Sequence, residues 1–160
     1  MPPADRTLRI LVVDDSPDFI RAACDWISLE EDVVVAGWAE SGQAAIEAVD
    51  SLHPDVVLLD VSMPGMSGIE AASRIKSLPD PPVIALITLH DIAPLREFAL
   101  DAGADEIVSK RNLDSALIET LRRLRDRDSL APVESWDNHA DANRHPRPRT
   151  SGRPRREPSE

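Results

Sequence analysis

The ten residues VVLLDVSMPG, numbered 56–65, are the most informative stretch of this 160-residue chain. They open with four apolar residues in a row, and an unbroken apolar run is typical of a parallel strand that is covered on both faces. The run ends on a carboxylate, Asp60, and the turn-forming residues Pro64 and Gly65 follow it closely. An acid in this place either caps a loop or belongs to a site, depending on which side chains reach the same edge of the sheet.

Four further apolar runs punctuate the first 110 residues: LRILVV (8–13), VVVAG (33–37), VIALI (83–87) and EIVS (106–109). Between the runs, apolar residues recur with helical spacing. The predicted inward helical faces are Phe19, Ile20, Ala23 and Ile27; Ala45, Val49 and Leu52; Leu95, Phe98 and Ala102; and Leu113, Leu117, Leu121 and Leu124. The alternation predicts an α/β fold of (βα)5 type, a doubly wound parallel five-stranded sheet with helices on both faces.

Residues that start helices support these assignments. Ser16, which precedes a proline, and Ser41 are suited to the N-cap positions of the first and second helices. Pro94 is tolerated only in the first turn of a helix, so the fourth helix is expected to begin near Ile92 or Ala93.

Composition divides the chain into three parts. We expect a short N-terminal lead over residues 1–7, one folded domain over 8–128, and an Arg/Pro-rich disordered tail over 129–160 that carries no helix-turn-helix output domain. Residues 1–128 contain 12 basic and 24 acidic residues, whereas residues 129–160 contain 6 and 5. The acidic body argues against direct DNA binding by the folded domain.

The sequence also bears on location. Cys24 is the only cysteine, so no internal disulfide can form and a reducing compartment is expected. The N-terminus has no signal-peptide pattern, and no apolar run approaches the roughly 18 residues that suggest a membrane span. These features predict a cytoplasmic protein.

Polar side chains follow four of the five predicted strands. Asp14 and Asp15 come after the first, Asp60 after the third, Thr88 after the fourth and Lys110 after the fifth. Because the carboxyl ends of parallel strands share one edge, these side chains can converge there. Three close carboxylates repel one another unless a cation joins them, and oxygen ligands favour Mg²⁺. Taken singly, each residue would be an ordinary helix-entry acid, strand-end residue or solvated charge.

A carboxylate beside Mg²⁺ can attack an electrophilic phosphorus. The Lys110 ammonium could balance one oxygen of the transferring phosphoryl group, and the Thr88 hydroxyl could donate to another. The predicted cluster is therefore suited to phosphoryl transfer onto an aspartate.

The motifs VVDDSP, VVLLDVSMPGMSGIE, ALIT and AGADEIVSK together resemble the receiver domain of bacterial two-component response regulators over residues 8–125. The resemblance implies a flavodoxin-like strand order, 2-1-3-4-5. It implies that Asp60 is the phospho-acceptor and that Thr88 and Lys110 hold phosphoryl oxygens. It also implies catalysis of the domain's own aspartyl phosphorylation and dephosphorylation, although the protein is not a conventional enzyme.

The resemblance further implies an Mg²⁺ site. Asp15 and Asp60 would bind the ion directly, together with the backbone carbonyl of Ser62, and Asp14 would act through water. Gly68 would allow the loop after the acceptor to turn into the third helix.

Three positions depart from the family pattern. Ile107 stands where a Tyr or Phe is usual, which would weaken or replace the coupling of an aromatic ring to the threonine. Leu89 replaces a usual Ala or Gly and could narrow access to Asp60. Arg111 replaces a proline that follows a cis bond, so a trans bond is expected here.

The resemblance implies a sensor histidine kinase or phosphotransfer protein as the phosphoryl donor and a downstream partner reached by protein–protein contact, with a homodimer possible. Two alternatives stay open. One is a pseudo-receiver, an interaction module that works without phosphorylation. The other is a haloacid-dehalogenase-like phosphatase, which needs a second Asp where this chain has Ser62.

Overall fold

Strands and helices alternate through residues 6–129, the part of the chain that the structure, a computed structural model, describes. The strands are β1 (Leu8–Val13), β2 (Val33–Ala39), β3 (Val56–Asp60), β4 (Val83–Thr88) and β5 (Glu106–Ser109). The α-helices are α1 (Pro17–Ser28), α2 (Gly42–Leu52), α3 (Gly68–Lys76), α4 (Arg96–Asp101) and α5 (Ser115–Ser129), and a 3₁₀ turn covers Lys110–Asn112.

The five strands form one parallel sheet in the order β2-β1-β3-β4-β5, which confirms the predicted topology. The direction in which successive strands are added reverses between β1 and β3: β2 lies on the far side of β1, and β4 and β5 lie beyond β3. In register, Val13 pairs with Leu59 and Asp60 pairs with Ile87. The ends of β1, β3 and β4 therefore lie side by side at one edge, where ligands bind in open parallel sheets.

Each face of the sheet is covered by its own apolar layer, because successive strand residues point to opposite faces. One layer joins Leu11, Val13, Val57, Leu59, Ile84 and Leu86 to buried residues of α2, α3 and α4. The other joins Leu8, Ile10, Val12, Val56, Leu58, Val83, Ala85 and Ile87 to α1 and α5. Burial on both faces explains why β3 and β4, and β1 apart from Arg9, read as continuous apolar runs.

Both predicted N-caps are present. The Ser16 hydroxyl accepts a hydrogen bond from the Phe19 N–H at 3.3 Å, and the Ser41 hydroxyl accepts one from the Ala44 N–H at 3.1 Å. These bonds satisfy N–H groups that have no partner within the helix. The bond to Ser16 sets the start of α1 immediately beyond the end of β1.

The prediction for α4 is wrong in two respects. The helix begins at Arg96 rather than near Ile92, because Pro94 lies in a separate turn that precedes it. Phe98, assigned to the inward face, is 64% exposed, whereas its neighbour Ala99 is 1% exposed and packs against the sheet. Adjacent helical residues are about 100° apart around the axis, so only one of this pair can face the core.

Some sequence predictions fall outside residues 6–129. The N-terminal lead lies almost wholly outside them, and so does the Arg/Pro-rich tail from residue 130 onward. Within the described part of the chain, no helix combines the length and apolar character that crossing a membrane requires. The same part contains no cis peptide bond, so the bond between Lys110 and Arg111 is trans, as expected.

Candidate functional site

Asp14 is held at the end of β1 by contacts on both its backbone and its side chain. Its N–H donates to the Ala39 carbonyl at 3.1 Å, which continues the β1–β2 pairing by one residue. Its Oδ1 accepts a hydrogen bond from the Ser16 N–H at 2.8 Å, and the residue is only 1% exposed. The carboxylate is thus tied to the turn that leads into α1.

Asp60 is the last residue of β3 and is 4% exposed. Its Oδ1 accepts a hydrogen bond from the Ser62 N–H at 3.2 Å. Burial raises the pKa of the Asp60 carboxyl above its ordinary value, and the nearby Asp14 charge raises it further; the Ser62 N–H and the Lys110 ammonium oppose this rise. The carboxyl is therefore easier to protonate than an exposed aspartate.

Lys110 begins the 3₁₀ turn after β5 and directs its ammonium between the two buried carboxylates. Its Nζ lies 2.5 Å from Asp14 Oδ2 and 3.4 Å from Asp60 Oδ2. The same Nζ lies 4.3 Å from the centroid of the Phe19 ring. The lysine side chain is 10% exposed, so this ammonium is largely removed from water.

Three carboxylates form a group that could hold a metal ion. Asp14, Asp15 and Asp60 each offer an oxygen within 4.8 Å of the others, and Asp15 is the exposed member. Lys110 supplies one positive charge to this group, so two negative charges remain uncompensated when all three acids are ionised. An all-oxygen donor set of this charge fits a hard divalent cation such as Mg²⁺.

Thr88 and Ser62 lie at the same edge of the sheet. Thr88 ends β4, one residue beyond the Ile87 that pairs with Asp60, and is 1% exposed. Its hydroxyl accepts a hydrogen bond from the His90 N–H at 3.0 Å. Ser62 is exposed two residues after Asp60, and its N–H faces that carboxylate.

The positions that depart from the family pattern have distinct surroundings. Leu89 is 58% exposed immediately after Thr88. Ile107 is 6% exposed and packs in the layer covered by α2, α3 and α4. Arg111 is exposed in the 3₁₀ turn.

Two further contacts at the site were not foreseen from the sequence. Phe19 was assigned only to the inward face of a helix, yet its ring touches the Lys110 ammonium. The sequence does place Phe19 in the first turn of the helix that follows Asp14, which brings it to the correct edge. Gly68, expected only to ease a turn, packs against the backbone of Asp60.

Two buried acids, an exposed acid and a lysine lie together where strand order reverses, so the chain is a doubly wound α/β domain of the class that carries an acidic pocket at this edge. A sequence comparison places the chain within that class: the response regulator receiver domain family matches residues 10–122, and the chain belongs to this family.

Individual relatives agree with the family assignment. The chain is 36% identical over 134 residues to the probable transcriptional regulatory protein NarL of Mycobacterium tuberculosis, covering 81% of this chain and 61% of NarL. It is 36% identical over 124 residues to a protein-glutamate methylesterase/protein-glutamine glutaminase of Idiomarina loihiensis, covering 76% and 32%. The chain thus spans about three fifths and one third of the lengths of these curated relatives.

Solved structures show the same fold. The response regulator domain of Thermotoga maritima CheB superposes with a TM-score of 0.68 at 31% identity, covering 79% of this chain and all of that one. The NarL receiver domain of Mycobacterium tuberculosis superposes with a TM-score of 0.70 at 32% identity, covering 76% and 98%. Each of these two solved chains is a response regulator or receiver domain, and the match covers nearly all of it.

Proposed function

We propose that this protein is a response regulator receiver that accepts a phosphoryl group on Asp60 in an Mg²⁺-dependent reaction. The observation that carries the proposal is the position of Lys110 Nζ, 2.5 Å from Asp14 and 3.4 Å from Asp60, beside three carboxylates within 4.8 Å of one another. This arrangement supports the proposal because it brings together a carboxylate that can act as a nucleophile, a fixed cation and an oxygen-rich group that could hold a metal ion.

In the proposed reaction, an oxygen of Asp60 attacks phosphorus and the bond to the donor breaks. The leaving group takes the electron pair of that bond. Lys110 meets the charge on one phosphoryl oxygen, and the Thr88 hydroxyl, whose oxygen accepts from the His90 N–H, donates its own hydrogen to another. Asp15, Asp60 and the Ser62 carbonyl would hold Mg²⁺ directly and Asp14 would do so through water; the ion, when bound, supplies positive charge to the phosphoryl oxygens.

Dephosphorylation uses the same groups in a second step. Water attacks the phosphorus, the bond to Asp60 breaks, and inorganic phosphate leaves while the carboxylate is restored. Because Lys110 Nζ lies 3.4 Å from Asp60, its charge is available both for phosphorylation and for dephosphorylation. The protein therefore catalyses its own phosphorylation and dephosphorylation without being a conventional enzyme.

The proposal extends to partners. The donor would be a sensor histidine kinase or a phosphotransfer protein, and the output would pass by protein–protein contact. The partner in that contact could be a second copy of this chain. Residues 1–128 carry 24 acidic and 12 basic residues, an excess that disfavours direct contact with DNA phosphates. Part of the same proposal is a cytoplasmic location and a functional domain bounded by residues 8 and 128.

The decisive experiment is chemical phosphorylation followed by intact-mass measurement. Wild-type protein with acetyl phosphate or phosphoramidate and Mg²⁺ should gain the mass of one phosphoryl group, and EDTA should prevent the gain. Asp60→Asn should gain nothing. Asp18→Asn is the matched control, since Asp18 is an exposed acid in the first turn of α1, and it should behave as wild type. Failure of the wild-type protein with every donor would overturn the proposal.

A second candidate is the pseudo-receiver, which two positions favour. Leu89 puts a bulky side chain directly after Thr88, and Ile107 offers no aromatic ring to move. Adding beryllofluoride and Mg²⁺ to mimic the phosphorylated state separates the two candidates. Amide chemical shifts that change in α4 and β5 support a phosphorylation switch. Shifts confined to the loops around Asp60 support the phosphorylation-independent module.

A further inference from the structure

The ammonium of Lys110 has an aromatic neighbour as well as two carboxylate neighbours. Its Nζ lies 4.3 Å from the centroid of the Phe19 ring. A cation within about 6 Å of an aromatic centroid is attracted by the negative face of the ring, and the attraction increases when the cation is desolvated. With 10% of its side chain exposed, Lys110 is such a desolvated cation.

Phe19 and Asp14 are fixed relative to each other by one short segment. Asp14 Oδ1 accepts from the Ser16 N–H at 2.8 Å, and the Ser16 hydroxyl accepts from the Phe19 N–H at 3.3 Å. The start of α1 thereby presents a carboxylate and a ring to the same ammonium. Phe19 is also half-buried against the layer that α1 and α5 share, which limits movement of the ring.

The two contacts of this segment have different consequences for phosphoryl transfer. Asp14 carries a full charge, so its pull on Lys110 competes with the charge that arrives on a phosphoryl group at Asp60. The ring is neutral and attracts the ammonium without adding negative charge to a pocket that already holds three acids. A ring contact therefore retains the ammonium near Asp60 while leaving it free to change its carboxylate partner.

We propose that Phe19 is a positioning residue, whose ring face keeps the Lys110 ammonium at the acceptor aspartate. This role rests on the proposed phosphorylation of Asp60, because positioning matters only if Lys110 meets a phosphoryl oxygen. The physical contact between the ring and the ammonium can be measured without any phosphorylation, so the two proposals can fail separately.

The contact itself is tested by a double-mutant cycle in chemical unfolding, using Phe19→Leu, Lys110→Gln and the double variant. The unfolding constant of the double variant should differ from the product of the single effects by about fivefold or more. Phe98→Leu removes an exposed ring on α4 and should show no such coupling to Lys110→Gln. If Lys110→Gln does not fold, upfield chemical shifts of the Lys110 ε-methylene that disappear in Phe19→Leu report the contact in its place.

The positioning role is tested by the rate of phosphorylation with phosphoramidate and Mg²⁺. Phe19→Trp retains a ring and should keep the rate within about twofold of wild type, whereas Phe19→Leu and Phe19→Met retain apolar bulk without a ring and should lose about fivefold or more. Equal phosphorylation rates for wild type and the three Phe19 variants would overturn the role of Phe19. So would the absence of both the coupling between Phe19 and Lys110 and the upfield shift of the Lys110 ε-methylene. Absence of any phosphorylation in wild type with coupling intact would instead overturn the function proposed for Asp60.

Discussion

Gly68, the first residue of α3, lies directly against the backbone of Asp60. A Cβ built on Gly68 would come within 1.9 Å of the Asp60 carbonyl oxygen and 2.9 Å of the Val61 Cα. The Gly68 N–H also donates to the Val61 carbonyl at 2.9 Å. Close approach of two backbones therefore fixes the position of Asp60, and no side chain can be accommodated at residue 68 without moving β3 or α3.

Gly68→Ala is expected to lower the free energy of unfolding by about 1–3 kcal/mol, the usual cost of inserting a methyl group into a filled space. It should also slow phosphorylation of Asp60, because the backbone of the acceptor must shift. Gly42→Ala is the matched control, since Gly42 also begins a helix but its Cβ would meet the flexible Met66 side chain, with the sulfur at 2.9 Å. Urea unfolding should show a smaller loss for Gly42→Ala; equal losses would contradict the backbone clash.

Mg²⁺ should stabilise the folded protein, because the folded state gathers the carboxylates and the unfolded chain does not. At a concentration one hundred times the dissociation constant, the gain is about 2.7 kcal/mol. Asp14→Asn should reduce the Mg²⁺-dependent rise in Tm, since it removes one of the three clustered carboxylates. Asp18→Asn, which removes an acid outside the cluster, should retain the rise, and EDTA should reverse it in both proteins. A rise of equal size in Asp14→Asn would exclude this metal site.

The strand–helix alternation could be predicted from local patterns because the central strands β1, β3 and β4 are covered on both faces, so that they appear as almost continuous apolar runs. The convergence of Asp14, Asp60 and Lys110 also required the strand order 2-1-3-4-5, which the resemblance to receiver domains implied and the sheet has. The orientation of Phe98 could not be predicted, because α4 has only 6 residues and its starting point depends on the turn around Pro94. Two adjacent apolar residues, Phe98 and Ala99, compete for one inward position, and tertiary packing decides between them.

Two contacts, that of the Phe19 ring with Lys110 and that of Gly68 with the Asp60 backbone, could not be predicted from the sequence for a different reason. Helical spacing predicts which face of a helix a residue occupies, but it does not predict that the side chain of Lys110, which follows β5, will contact the ring there. Likewise, a glycine at a helix start is commonly a matter of local conformation. Only the packing of α3 on the end of β3 shows that Gly68 is required because a Cβ at this position has no room.

Leu89→Ala should accelerate phosphorylation by small donors. Leu89 follows Thr88 directly at the sheet edge that carries Asp60, and we expect its truncation to widen the approach to that carboxyl. Because the side chain is 58% exposed, the cost in stability should stay within about 0.5 kcal/mol. A rate increase of about threefold to tenfold would correspond to roughly 1 kcal/mol of barrier. Leu100→Ala, which truncates a leucine that is 60% exposed on α4, serves as the control. Unchanged rates for Leu89→Ala would show that this side chain does not obstruct the acceptor.

The raised pKa of Asp60 makes the stability of the protein depend on pH in a defined direction. Burial is the largest cause of the rise and the Asp14 charge is the next. The folded carboxyl binds its proton more tightly than the unfolded one, whose pKa is near 3.8. Stability from this group is therefore fully present below that pH and is lost as pH rises through the folded pKa.

Asp60→Asn removes this penalty, since an amide has no charge to desolvate and Lys110 keeps its partner Asp14. In EDTA, the variant should be more stable than wild type at neutral pH. The difference should shrink as pH falls through the folded pKa and disappear below about 3.8. Urea unfolding of both proteins across this range measures the difference directly. A variant that is less stable than wild type at pH 7, or a difference that grows on acidification, would show that the Lys110 contact outweighs the burial of the acceptor.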